Sequence, residues 1–348
     1  MIDFWSTVAD HLGAGRRVFL ALVAANTKHS PGTVGARLAM AEGGEVWGTV
    51  GGGVMERDIL AMASRVLMDH SVLGGRETPA PWLETLAHRR PSPGSVPADG
   101  TQPSGMICAG QQTNLYAVLD PGVDAGTVSS IVDLLRRDAP GVLEISSRGV
   151  ALRDSPSDTP SHTPSTPAQL SGVARSLDMG EYGFHYREPL LERRRLVIFG
   201  GGHCALALAR VMGPLGYRLT ACEATKKSPE ADLASHVHAL HPVDDFRRAA
   251  ARVPWPELTA AVVMTSDFPG DIAALCGALR QPFPFIGVMG SPAKLRKIRQ
   301  GLVEQGFGDA DFERLTAPVG LPIGSHTPEE IAISVAAQIL DLRRGWTP

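Results

Sequence analysis

The chain has 348 residues, 43% hydrophobic and 20% charged, a composition that suits a folded globular protein with room for two domains of about 100–200 residues each. A formal net charge of −3 supplies no basic field for a phosphodiester backbone, which argues against nucleic acid as a partner. No run reaches the about 18 apolar residues that a spanning helix needs, and the opening MIDFWSTVADHLGAG carries acids where a signal peptide carries lysine or arginine, so a cytoplasmic protein without a membrane partner is expected.

In chain order, Phe4, Trp5, Val8 and Leu12 recur at helical spacing up to a glycine stop, and RRVFLALVAANT follows as a strand. GARLAMAEG and GEVWGTV read as two short strands joined by a turn. Met55, Ile59, Met62, Ala63, Val66 and Leu67 then mark a helix, which places Gly51, Gly52 and Gly53 at a strand-to-helix junction. From about 74 to 104 Pro, Gly, Ser and Arg dominate, and an exposed insertion is expected there. Strand patterns resume in GMICAGQQTNLYAVLD and GVLEISSRG around a helix at about 123–138, and DSPSDTPSHTPSTPAQ is low-complexity.

The second half alternates differently. RLVIFG, YRLTACE, AAVVMT and PFIGVMG are short apolar runs separated by helical patterns such as HCALALARVMGPLG and PGDIAALCGALR, a βαβ succession that predicts a parallel, doubly wound sheet. A last helix begins with Thr327 as N-cap, Pro328 in the first turn, and Glu329 and Glu330 at the positive end of its dipole. The reading is an α/β protein: an N-terminal α+β domain over 1–155, a Ser/Thr/Pro-rich linker with connecting strands over 156–190, and a Rossmann-like domain over 191–348.

Two glycine turns carry the chemistry. RLVIFGGGHCALALA sets a buried strand before Gly200-x-Gly202-x-x-Ala205 and a helix after it, with Glu223 at the end of the next strand, 23 positions beyond Gly200. This is the dinucleotide fingerprint in its proper context: Gly200 for the turn, Gly202 for close approach of a pyrophosphate, Ala205 for packing, Glu223 for ribose hydroxyls. An empty Rossmann-like crevice is the competing reading. His203 serves equally as a phosphate contact or as part of a helix cap. At the other turn, Gly51, Gly52 and Gly53 form either an anion-binding nest at a helix start or a tight turn needing positive φ, and Glu56 serves the dipole or accepts from a heterocycle.

Four cysteines, Cys108, Cys204, Cys222 and Cys276, show no C-x-x-C spacing, so neither a disulfide framework nor a cysteine zinc site is indicated. Cys204 and Cys222 read as small buried hydrophobes inside a helix and a strand. Cys108, between Gly105 and Gly110, is the cysteine placed for chemistry, with an inert thiol as the alternative. The basic helix in SPAKLRKIRQ reads as a solvated face, with contact to a partner or a phosphate as the alternative.

These segments resemble the XdhC/CoxI family, accessory proteins of xanthine dehydrogenase and related molybdenum hydroxylases. The resemblance spans nearly the whole chain and rests on SPGTVGARLAM, GTVGGGVMER, GMICAGQ, LVIFGGGHCALALARVMGPLGYRLTACE, VVMTSDFPGDIAALCGAL, FIGVMGSPAKLRKI and APVGLPIGSHTPEEIAISVAAQIL. It implies a CoxI-like first domain and an XdhC Rossmann-like second domain. It also implies a protein that binds molybdenum cofactor (molybdopterin), supports its sulfuration and delivers it to an apo molybdenum hydroxylase, with a cysteine desulfurase-type sulfur donor as a further partner.

By the same resemblance Cys108 holds the cofactor as a contact to molybdenum, in company with Gly110 and Gln111; the glycine nest of Gly51, Gly52 and Gly53 suits the pterin phosphate, and Glu56 completes the cofactor-binding set as an acceptor from the heterocycle. Gly200, Gly202, His203 and Glu223 line the second site, for NAD(P) or another nucleotide. This chain has Cys108-Ala109-Gly110 where the family reads Cys-Gly-Gly, Glu223-Ala224-Thr225 where it reads Asp-x-Arg, and Ser266-Asp267 where it reads His-Asp. A maturation factor is expected rather than a catalyst. The alternative is an NAD(P)-dependent oxidoreductase, for which only His203 and His326 offer themselves as proton donors. A homodimer is common for such folds.

Overall fold

The structure is a computed structural model that describes all residues except 29, 31, 69–77, 88–101, 104–109, 154–174, 182, 192, 227–229 and 343–348, with backbone alone at 102–103. The chain divides into two compact units, Met1–Leu191 and Glu192–Pro348.

In the first unit β1 (Val18–Asn26) is central. It pairs antiparallel with β2 (Arg37–Ala41) on one side and β6 (Gln111–Leu119) on the other. Beyond them lie β3 (Val46–Gly48), β4 (Trp82–Ala87) and β5 (Gln102–Pro103), giving the order β3-β2-β1-β6-β4-β5. β1 is an unbroken apolar run because both of its faces are covered. Leu20 and Leu22 pack with Trp5, Val8 and Leu12 of α1 (Ile2–Gly13) and Ile131 and Leu135 of α3 (Ala125–Arg136). Phe19, Ala21 and Val23 pack with Met55, Ile59, Ala63 and Leu67 of α2 (Gly53–Met68). The alternation along β1 thus sorts one strand between two cores. A second, four-stranded antiparallel sheet has the order β8-β7-β10-β9, from β7 (Val142–Ser146), β8 (Gly149–Arg153), β9 (Ser176–Gly180) and β10 (Gly183–Pro189).

One expectation fails here. The stretch 74–104, read as an exposed insertion, contains β4, which pairs with β6 and buries Leu86 and Ala87. WLETLA is short and embedded in Pro/Gly/Ser-rich flanks, so composition over the longer window hid a strand that the β6 edge recruits. The strands β9 and β10 of the expected connecting segment belong to the first unit.

The second unit is a parallel sheet in the order β13-β12-β11-β14-β15-β16. Its elements are β11 (Arg195–Phe199), α4 (His203–Met212), β12 (Arg218–Ala224), α5 (Leu233–His236), β13 (Ala239–Val243), α6 (Phe246–Ala250), β14 (Thr259–Val263), α7 (Phe268–Leu279), β15 (Phe285–Val288), α8 (Pro292–Glu304), α9 (Asp309–Phe312), β16 (Leu315–Thr316) and α10 (Pro328–Leu342). Leu196, Ile198 and Val262 face α4 and α10 through Ala205, Leu208, Met212, Val335 and Ile339. Val197, Phe199 and Val263 face α6, α7 and α8 through Phe246, Leu275, Ile298 and Leu302. The strand order reverses between β11 and β14, and in open parallel sheets the crevice outside the carboxyl ends at such a reversal is where ligands bind. Among the described residues no helix is long and apolar enough to cross a membrane.

Candidate functional site

Gly51, Gly52 and Gly53 all have positive φ, at 129°, 73° and 71°, a run that only glycine adopts without strain. At the start of α2 it brings the alternate N–H groups of Val50 and Gly52 to one point. Glu56, one turn into the helix, folds back over them. Its Oε2 accepts from Thr49 Oγ1 at 2.6 Å, Gly52 N at 3.0 Å and Val50 N at 3.1 Å, while Thr49 Oγ1 accepts from Gly51 N at 3.3 Å. The loop is therefore a seat for an oxyanion, and the oxyanion in it is the chain's own carboxylate.

Gly110 and Gln111 meet a second loop. Gly110 has φ 113°, and a Cβ there would lie 2.9 Å from Thr27 Oγ1 and 3.2 Å from Ser30 N. Gln111 N donates to Thr27 Oγ1 at 2.7 Å and Gln111 O accepts from Thr27 N at 2.9 Å. The next residue joins the two loops. Gln112, fully buried, accepts at Oε1 from Gly32 N at 3.0 Å and Ser30 Oγ at 3.2 Å, and donates from Nε2 to Val50 O at 3.1 Å and Asn114 Oδ1 at 2.8 Å. A Cβ on Gly32 would collide with Gln112 Oε1 and Val50 O, so glycine at 32 is what lets the loops close on that amide. The network continues from Asn114 Nδ2 to Tyr116 Oη at 3.2 Å, and from the Tyr116 hydroxyl to Glu84 Oε2 at 3.1 Å. Burial, then the Glu84 carboxylate, pushes the Tyr116 phenol up, so it stays a donor.

A buried ion cluster pins the same loop from its other end. Glu188, fully buried, pairs with Arg37 at 2.6 Å and Arg175 at 2.8 Å, and Arg175 Nη1 donates to Val34 O at 3.4 Å. The structure thus brings Gly51, Gly52, Gly53 and Glu56 together with Gly110 and Gln111 through Gln112. Cys108, with Gly105 and Ala109, lies outside the described residues. Gln112 escaped sequence reasoning, although two amides and a tyrosine at alternate positions of an apolar strand, 112, 114 and 116, are the pattern of polar side chains turned inward.

In the second unit Gly200 has φ 127°, and a Cβ there would collide with the Met264 carbonyl oxygen and lie 3.1 Å from Thr265 N, so the turn presses against the end of β14. Gly202 differs. It has φ −82°, and an added Cβ meets nothing within 4 Å, so only space outside the chain calls for glycine there. Ala205 is fully buried beneath the turn. Glu223 is 6% exposed; its Oε2 accepts from Gly201 N at 2.6 Å and its Oε1 from Ala224 N at 2.7 Å, which fixes the carboxylate beside the glycine turn. His203 is 80% exposed and pairs through Nδ1 with Glu230 Oε1 at 2.9 Å.

Burial alone pushes the Cys222 thiol up to about 12, and burial with the Glu329 charge raises that of Cys204; neither presents a thiolate. The described residues contain no group of three or more His, Cys, Asp or Glu able to hold a metal ion.

A sheet unit with a glycine turn closed by its own carboxylate, joined in sequence to a unit with a parallel, Rossmann-like sheet, defines a two-domain α/β class of protein. Residues 11–73 match the family model described as "XdhC and CoxI family", and residues 196–339 match that of the "XdhC Rossmann domain". The chain belongs to the XdhC and CoxI family. It is 31% identical over 151 residues to the uncharacterized protein YqeB of Escherichia coli (strain K12), covering 43% of this chain and 28% of that protein. It is 26% identical over 156 residues to a probable xanthine dehydrogenase subunit of Bacillus subtilis (strain 168), covering 43% of each. The matches therefore span less than half the length of these curated relatives. A Bacillus halodurans crystal structure described as a xanthine dehydrogenase shares the fold, with a TM-score of 0.70 at 20% identity over 99% of this chain and 96% of that one.

Proposed function

We propose that this chain is an accessory protein of a xanthine dehydrogenase-type molybdenum hydroxylase. It binds molybdenum cofactor in the first unit, keeps it while a cysteine desulfurase-type donor supplies sulfur, and passes it to the apo-enzyme. Family membership and the name of the Bacillus subtilis relative support the setting. The observation that carries the reading is the carboxylate seat at Thr49–Gly52, tied through Gln112 to a strand that begins three residues after Cys108.

The residues fit such a group. The Glu56 oxygen marks a position where backbone N–H groups and a hydroxyl already converge on negative charge, which suits a phosphate oxygen. Cys108 offers the soft ligand that suits molybdenum. When bound, the cofactor supplies the metal and its terminal ligands. The chain orients it by the N–H groups of Val50 and Gly52 and the Thr49 hydroxyl, and Gly110 and Gln111, which follow the cysteine in sequence, are themselves fixed against Thr27. Cys108→Ala is expected to abolish retention of cofactor through gel filtration while leaving the far-ultraviolet circular dichroism unchanged; full retention rejects the assignment.

A second reading gives the crevice of the second unit a nucleotide of the NAD(P) class. It is favoured by the open face of Gly202 and by Glu223 fixed beside it. Calorimetric titration with NAD+ and NADP+ is expected to give saturable heat with at least one, and none with either ends this reading.

A further inference from the structure

Asp271 and Lys294 form a charged pair that neither reading uses. Asp271, in the first turn of α7, is fully buried. Its Oδ1 accepts from the Thr265 hydroxyl at 2.7 Å, and its Oδ2 lies 2.5 Å from Lys294 Nζ. Lys294 belongs to the first turn of α8, whose N-cap Ser291 accepts from Lys294 N at 3.3 Å. Thr265 is the residue whose backbone N crowds Gly200. Gly200, Thr265, Asp271 and Lys294 therefore form one row across the carboxyl ends of β11, β14 and β15, on both sides of the point where strand order reverses.

A solvated helix face explains the other cations of SPAKLRKIRQ, such as Arg299 with Asp309 at the surface, but not this one. Taking a carboxylate and an ammonium out of water is repaid only partly by their attraction, so a buried pair is weak evidence for stability and is informative in a cleft. An ammonium has three donors. Asp271 is the one described residue that pairs with it, and the Lys294 side chain is 29% exposed. The helix that carries it also turns its positive end to the crevice edge.

We propose that Lys294, held in place by Asp271, is the anion-binding contact of the second unit's crevice and receives a phosphate group of the ligand that lies along the Gly200–Gly202 turn. Lysine serves this role as a point charge rather than a fork. Asp271 is a positioning residue: it fixes the ammonium at the mouth of the crevice without touching the ligand. The proposal rests on the crevice reading of the second unit and not on Cys108, so its failure and that of the cofactor reading are separate results.

The test is calorimetric titration of the full chain with inorganic pyrophosphate and with ADP. Lys294→Gln should weaken both probes at least tenfold. Lys294→Gln combined with Asp271→Asn leaves no unpaired buried charge, so it guards against misfolding and should weaken them equally. The wild-type affinity should fall as KCl rises from about 0.05 to about 0.5 M, and the fall should be shallower without Lys294, which lost packing would not cause. Wild-type affinity in both variants overturns the proposal, as does failure of the wild-type protein to bind either probe at millimolar concentration.

Discussion

Gln112 shows how much one buried side chain can organise. Its amide satisfies Gly32 N, Val50 O and Asn114 Oδ1 at once, and each becomes an orphan in a low-dielectric interior if the amide is removed. Leaving a buried donor or acceptor unpaired costs about 1–3 kcal/mol, so Gln112→Leu is expected to cost about 3 kcal/mol in urea unfolding, allowing for relaxation of the loops. A loss below about 1 kcal/mol would show that water takes over these partners. Legibility differs residue by residue. The glycine turn at Gly200 and its acid Glu223 are written as a motif with fixed spacing. Gln112 and Lys294 are not, because each owes its role to partners far along the chain: Gly32 and Val50 for one, Asp271 for the other. Sequence presents Lys294 only as one cation in a basic helix.

At the scale of elements, α10 is held by its start. Thr327 Oγ1 accepts from Glu330 N at 3.2 Å, and Glu330 Oε2 accepts from Thr327 N at 3.1 Å and His326 N at 2.6 Å, a reciprocal capping box. These backbone donors hold the Glu330 carboxyl below its ordinary value. A carboxyl whose native pKa is depressed adds stability that is present above its unfolded value of about 4.3 and is lost as pH falls through the native value. Glu330→Ala should therefore lower Tm at pH 7, and the difference from wild type should close in acid; a difference that persists unchanged at pH 3 would exclude the ionised cap as its cause. Thr327, Pro328 and Glu330 made this helix legible, as the unbroken apolar run made β1 legible. β4 was not, since its six residues gain their identity from the edge of β6 rather than from their own neighbourhood.

At the scale of the whole molecule, two glycine turns at helix starts serve different ends because of what surrounds them. The turn of the second unit presses on Met264 and opens at Gly202; the turn of the first unit is closed by Glu56. That closure has a thermodynamic consequence. Any anion that occupies the Thr49–Gly52 turn enters by exchange with the carboxylate already there, so the donors stay satisfied before, during and after occupancy. Affinity is then the difference between two anions on one set of N–H groups and not the full strength of either. Such a seat favours exchange over permanent storage, since a departing anion leaves no orphaned backbone behind it.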